Sequence, residues 1–358
     1  MTEPTAQSQH LLVSDHRLPT VWSIVHHLGA GLLLTALFFA LLLTAIATPD
    51  DKSNYNYYPT GDTTTDFSPA KTEGALLLAG GGGDVESAFT WFVQKAGGGR
   101  IVILRASGSD GYNDFLFSKI GGVKSVESVV FKNAAAARDP RVLALIARAD
   151  GIFMAGGDQA KYIEYWKDSP VGTALAAHIA AGKPIGGTSA GLAVLGQFYF
   201  SAAKDTVTSD VALKNPFDER VTLGRDFLSA PALAGVITDT HFMERKRLGR
   251  LITFLARLQA SEKPKRLLGL GIDEATALCV EADGSARVHT SRKGLAWLVQ
   301  PTKPASPLTA GQPLAIEGVA VIGLGPDSRL NLLTLEVERP AASSVVAARD
   351  GRLHETAP

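Results

Sequence analysis

Five short apolar runs, separated by helix-compatible stretches, constrain the fold of this chain more than any other feature. Four of them are 74–79, 100–104, 128–131 and 151–154, and the fifth leads into Gly187-Thr188-Ser189. Continuous apolarity marks strands buried on both faces, and crossovers of this length join parallel neighbours with a right-handed sense. The chain is therefore expected to be α/β, with a mostly parallel sheet flanked by helices. In such sheets ligands gather beyond the carboxyl ends of the strands. Two segments take that place: Ala155-Gly156-Gly157-Asp158-Gln159 and Gly187-Thr188-Ser189. A further strand, Gly235 to Thr238, delivers Asp239-Thr240-His241-Phe242 and is expected in the same sheet. An amphipathic helix follows from Arg245 to Ala260, and the rest of the chain reads as strand-rich.

The 35 basic and 35 acidic residues cancel, so no global field draws the chain to nucleic acid. A single cysteine, Cys279, rules out an internal disulfide framework and a cysteine zinc cluster. Between Arg17 and Asp50 there is no Asp, Glu, Lys or Arg. That stretch is long enough as a helix to cross a bilayer. The expected organisation is a polar segment at 1–27, a transmembrane signal anchor or signal peptide at 28–48 and a flexible linker at 49–71. A catalytic domain follows at 72–281, then a strand-rich extension packed on it at 282–340 and a disordered tail at 341–358. The localisation that follows is membrane-anchored with the catalytic domain outside the cytoplasm, or secreted if the segment is cleaved. A homodimer is left open.

Ser189 sits among small residues between a strand and a helix-compatible run, the setting of a nucleophile on a sharp turn. The glycines around it allow a bend that side chains would block. A serine hydroxyl needs a base within hydrogen-bond reach. Among eight histidines only His241 directly follows a strand of the core and precedes a helix. The backbone amides at Gly156, Gly157 and Ala190 are the candidate oxyanion donors, while Asp158 suits a helix cap. Arg245, Arg247 and Arg250, close to the end of a catalytic strand, suit a substrate carboxylate. The Gly80–Gly83 run completes no phosphate-binding motif and reads as a strand-to-helix turn lining a pocket.

Four stretches together carry a resemblance: Ala155-Gly156-Gly157-Asp158-Gln159, Gly187-Thr188-Ser189-Ala190-Gly191, Asp239-Thr240-His241-Phe242 with its arginines, and Gly271-Ile272-Asp273-Glu274-Ala275-Thr276-Ala277. In this order they resemble the cyanophycinase and dipeptidase E group of serine peptidases, family S51. The resemblance implies a three-layer fold similar to class I glutamine amidotransferases, with Ser189 as nucleophile and His241 as base. It also implies a third carboxylate about twenty residues after the serine, for which Asp210 matches best and Asp205 stands in reserve. Gly157 and Ala190 form the expected oxyanion hole; Gly156, Asp158, Gln159, Asp239, Thr240, Arg245, Arg247 and Arg250 form the expected substrate site. The implied substrate is a peptide with a β-aspartyl or N-terminal aspartyl bond, and neither a metal nor an organic cofactor is required. One departure is Thr240, where cyanophycinases commonly carry glutamine. Two other readings stay open: a binding module for acidic ligands that has lost turnover, and an amidotransferase-like amidase. The latter chemistry normally uses a cysteine where this chain has Ser189.

Overall fold

A computed structural model of the chain describes residues 53–64 and 71–356. The apolar runs form the middle of a ten-stranded sheet. Its edge-to-edge order is Tyr55–Gly61, Ser125–Phe131, Arg100–Arg105, Gly151–Met154, Ile185–Thr188, Ala75–Ala79, Thr276–Glu281, Ser285–Thr290, Arg329–Asn331 and Val337–Glu338. From Ser125–Phe131 to Ala75–Ala79 neighbours run parallel, and both ends of the sheet are antiparallel. Alternate residues of the parallel strands face opposite layers. Leu76, Leu78, Val102, Leu104 and Met154 meet Val142, Tyr162, Trp166 and Leu175 from helices Pro140–Arg148, Gln159–Trp166 and Pro170–Ala180. On the other face Leu77, Ile101, Ile103 and Phe153 meet Phe89 and Phe92 of helix Glu86–Lys95. Helices on both faces are what strands without a polar face require.

Local chemistry sets the helix starts. Asp139 accepts from the Arg141 amide with Pro140 in the first turn, and Ser169 accepts from the Gly172 amide with Pro170 in the first turn. Each such cap stabilises its helix by about 1 kcal/mol.

The second sheet has eight strands, in the order Arg352–Thr356, Ala342–Arg349, Ile316–Leu324, Ala296–Pro301, Leu268–Ile272, Val236–Asp239, Phe198–Phe200 and Leu223–Arg225. The strand before His241 therefore lies in this sheet, not in that of Ser189 as the sequence led us to expect. The chain passes from Leu268–Ile272 in the second sheet to Thr276–Glu281 in the first through only Asp273-Glu274-Ala275. That short seam, with the His241 amide donating to the Gly80 carbonyl at 2.9 Å, brings the two sheets' active ends together.

Three further expectations are corrected. Within the presumed linker, Tyr55–Gly61 is an edge strand, paired antiparallel from Tyr55↔Phe131 to Gly61↔Ser125. Its Tyr57 hydroxyl donates to Glu127 at 2.5 Å, and Asn113 Nδ2 donates to the Tyr58 carbonyl at 2.8 Å. Aperiodic composition concealed a strand whose partners lie some seventy residues away, and Pro59 is tolerated because the strand is at an edge. The presumed tail forms a hairpin from Ala342–Arg349 and Arg352–Thr356. Asp350 and Gly351 turn it with φ of 50° and 71°, the left-handed pair of a two-residue hairpin loop.

The membrane-anchored localisation is corrected as well. Among the described residues no helix is long and apolar enough to cross a membrane. The stretch 28–48 on which that expectation rested lies outside the described residues.

Candidate active site

Ser189 stands between strand Ile185–Thr188 and the short helix Ala190–Ala193, with φ 50° and ψ −116°. A side chain held there costs about 1–3 kcal/mol and persists only where neighbours enforce it. The glycines do so by close approach. A Cβ on Gly191 would fall 2.0 Å from the Met154 carbonyl oxygen, and one on Gly187 would fall 2.6 Å from the Gly191 carbonyl carbon. The helix start is thus pressed onto the sheet and the serine is tilted out of the turn.

His241 follows strand Val236–Asp239 and also has a positive φ, 44°. Its Nε2 lies 2.9 Å from Ser189 Oγ and its Nδ1 lies 2.6 Å from Glu274 Oε1. The His241 side chain is 8% exposed and that of Glu274 is 24% exposed. Burial lowers the imidazole pKa most, the Arg245 and Arg247 charges add to the lowering, and the Glu274 hydrogen bond opposes it. Glu274 is held below the usual carboxylate range, chiefly by its hydrogen bond to His241. An imidazole kept neutral near pH 7, beside an ionised carboxylate, is ready to accept a proton.

The sequence placed Asp210 behind His241, and the structure corrects that position to Glu274. Asp210 lies exposed in the first turn of helix Ser209–Lys214, with Asp205 also exposed. Glu274 belongs to the seam between the sheets, where its amide donates to Glu244 at 3.1 Å. Its neighbour Asp273 is buried and accepts from the Met243 amide at 3.1 Å, the Leu295 amide at 2.9 Å and the Trp297 indole at 3.1 Å. Burial raises the Asp273 pKa, and these bonds oppose the rise. The sequence carried Glu274 within the stretch from Gly271 to Ala277 but offered no role for it. Strand Leu268–Ile272 runs parallel to Val236–Asp239, so the carboxylates that follow it end up beside His241.

The glycine turn after Ala75–Ala79 covers this pair. A Cβ on Gly81, at φ +94°, would sit 2.6 Å from His241 Cε1 and Nε2, and one on Gly82 would sit 2.4 Å from the Glu274 carboxylate. The turn serves close packing over the histidine, which is a different role from phosphate binding.

Beside Ser189 opens a cavity of about 320 Å³. Gly157, Gln159, Thr240, Arg245, Arg247 and Arg250 line it together with the serine. The sequence missed its opposite wall, formed by Phe200 and the Thr206–Ser209 stretch. The three arginines differ. Arg250 grips Asp239 with two bonds, Nε to Oδ2 at 2.8 Å and Nη2 to Oδ1 at 2.5 Å, and lies over the Phe200 ring at 5.2 Å. Arg247 Nη1 donates to the Thr240 carbonyl at 2.8 Å and to its hydroxyl at 3.0 Å, and burial lowers its pKa to about 10. Arg245 is exposed, because the helix begins at Leu248 and leaves Arg245 in the turn after His241.

The remaining expected residues divide between framework and site. Gly156 packs on the serine, its would-be Cβ 3.4 Å from Ser189 Cβ. Asp158 is exposed and caps helix Gln159–Trp166 through the Ala160 amide at 3.0 Å. Gln159 Nε2 donates to the Phe200 carbonyl at 2.6 Å, which leaves its oxygen as the free end. Asp239 is buried, holds Arg250 with two bonds and also accepts from Arg247 at 3.3 Å.

Known proteins resemble the chain as a whole. The profile described as Peptidase family S51 matches residues 114–288. The cyanophycinase of Synechococcus elongatus is 32% identical over 296 residues, covering 78% of this chain and 85% of the relative. That of Trichormus variabilis is 30% identical over 247 residues, covering 66% of this chain and 76% of the relative. Among solved structures, a peptidase from an acI-B1 Actinobacterium matches with TM-score 0.49 and 15% identity, covering 74% of this chain and 98% of that one. From this likeness to cyanophycinases over most of their length, and from the family match, the chain belongs to peptidase family S51 and is a serine-type peptidase.

Proposed function

We propose that the chain hydrolyses aspartyl peptide bonds, β-linked or N-terminal, with Ser189, His241 and Glu274 as a catalytic triad. His241 Nε2 takes the proton from Ser189 Oγ as that oxygen attacks the scissile carbonyl carbon. Glu274 fixes the tautomer through Nδ1 and stabilises the imidazolium that forms. The amides of Gly157 and Ala190 receive the oxyanion; Ala190 opens a helix, where backbone N–H groups have no partner within the helix. The proton then passes from His241 to the leaving amine as the carbon–nitrogen bond breaks, leaving an acyl-serine. Water, deprotonated by His241, releases the acid and restores Ser189.

The choice of an acidic substrate rests on the cavity. Three guanidiniums face one buried carboxylate, so the site carries an excess of positive charge. Arg250 is committed to Asp239, and Arg247 is held by Thr240 and, at 3.3 Å, by Asp239 as well, which leaves Arg245 to take a substrate carboxylate. The observation that carries the proposal is the continuous Ser189–His241–Glu274 hydrogen-bond chain opening onto this arginine-lined cavity. The test is a hydrolysis screen on β-Asp-Arg, β-Asp-Lys and α-Asp dipeptides against matched peptides lacking the aspartyl carboxylate. Turnover confined to the aspartyl set is expected, with KM raised by Arg245→Gln. Equal turnover of both sets would overturn the substrate assignment.

A further inference from the structure

A second cavity, of about 410 Å³, lies away from the catalytic one, between helix Glu86–Lys95 and the antiparallel end of the first sheet. Trp91, Cys279, Glu281, Arg287, His289 and Arg329 supply its chemistry. The pairing of Ser285–Thr290 with Arg329–Asn331 sets Ser285 opposite Asn331 and Ala286 opposite Leu330. Continued by one residue, that register would set Arg287 toward Arg329, and both line the cavity. Like charges directly opposed across two strands destabilise a sheet. An anion between the two guanidiniums would relieve that repulsion.

The other polar groups leave that role open. Glu281 is the cavity's single carboxylate, and both its oxygens are taken: Oε1 by the Trp91 indole at 2.9 Å and Oε2 by Lys95 at 2.7 Å. Among the described residues Arg329 has one ion-pair partner, Glu338 at 3.9 Å, and Glu338 is largely exposed. Arg287 is exposed and has no ion pair among the described residues. His289 uses Nδ1 on the Ser87 hydroxyl at 2.9 Å, which leaves Nε2 for the cavity. Burial, with the Arg287 charge, lowers the His289 pKa. Two guanidiniums, one imidazole nitrogen and an indole wall make a receptor for a planar or tetrahedral oxyanion group. A volume of this size admits an amino acid or a short peptide.

We propose that this cavity is a second, non-catalytic site that binds a carboxylate- or phosphate-bearing ligand through Arg287 and Arg329. Two probes separate the sources: triaspartate for a carboxylate chain and inorganic phosphate for a free anion. The reporter is the Trp91 indole N–H resonance in the full-length protein, assigned by its disappearance in Trp91→Phe. The Ser189→Ala background prevents turnover of the peptide. At least one probe is expected to move that resonance saturably. The double variant Arg287→Gln/Arg329→Gln is expected to weaken binding at least tenfold, while Arg245→Gln in the catalytic cavity leaves it unchanged. Without the Ser189 change, the double variant should hydrolyse dipeptides at the wild-type rate, which confirms that it is folded. Absence of any shift with both probes would overturn the proposal, as would the same affinity in the double variant. A shift abolished by Arg245→Gln would equally overturn it, by assigning the binding to the catalytic cavity.

Discussion

Replacing Glu274 by glutamine removes one charge and almost no volume, so it isolates what the carboxylate does for His241. Two unit charges about 4 Å apart interact by roughly 4 kcal/mol at the effective dielectric of a site near a protein surface. The Glu274 side chain is 24% exposed, so solvent screens part of this, and about 2–4 kcal/mol is the working range. At about 1.4 kcal/mol per tenfold, kcat/KM should fall roughly 30- to 1000-fold. A glutamine that donates to Nδ1 would also favour the tautomer unable to accept the serine proton, which pushes the loss toward the upper figure. The pH profile gives an independent check. As the proposed base, His241 must be neutral to act, so activity should be lost as pH falls through its pKa, which burial already holds below the ordinary value. The Glu274 bond raises that pKa, so Glu274→Gln should move the acid limb further down while lowering the plateau. Asp210→Asn is the control, because Asp210 is exposed and distant in role, and it should stay within about threefold of wild type. Steady-state hydrolysis of an aspartyl dipeptide from pH 4 to 9, roughly two units either side of the ordinary histidine value, measures all three. A Glu274→Gln enzyme within threefold of wild type, or a large loss in Asp210→Asn, would refute the reasoning.

Two other outcomes follow from packing. Gly81→Ala places a methyl group 2.6 Å from the His241 ring at a φ of +94°, so it should lower kcat by at least tenfold while Tm shifts by only a few degrees; unchanged kcat would contradict the close fit. Arg250→Ala removes the two-bond partner of the buried Asp239 carboxylate and leaves it Arg247 at 3.3 Å and the Thr240 amide at 2.8 Å, so the loss should fall near the lower end of the about 3–5 kcal/mol typical of a broken buried pair. Urea unfolding should show that loss, and Asp239→Asn/Arg250→Met should recover much of it; a loss under 1 kcal/mol in Arg250→Ala would place the pair at the surface in effect.

Much of the central fold was legible because it is written in local patterns. Runs such as Leu76-Leu77-Leu78 and Ile101-Val102-Ile103 declare strands covered on both sides, and the glycines around Ser189 declare a turn. What stayed hidden depends on partners distant in the chain. Tyr55–Gly61 looked like a tether because its stability comes from Ser125–Phe131 and Asn113. The hairpin at the end of the chain was signalled by Asp350-Gly351, yet the Ala- and Arg-rich flanks masked its period of two. Glu274 was hidden for a topological reason. It faces His241 only because the chain switches sheets within three residues, between Leu268–Ile272 and Thr276–Glu281, and nothing in local composition announces such a crossing. All three arginines line the cavity, and only the contacts reveal that Arg250 is bound to the framework while Arg245 stands exposed.

The central claim is that Ser189 is the acylated nucleophile. Its most direct measurement is intact-mass and peptide mapping after treatment with a serine-directed fluorophosphonate, on wild type and on Ser189→Ala. One adduct on Ser189 in the wild type, none in the variant, and loss of aspartyl dipeptide hydrolysis in both the labelled enzyme and the variant is the predicted result. An adduct on another residue, or hydrolysis that survives in Ser189→Ala, would contradict it.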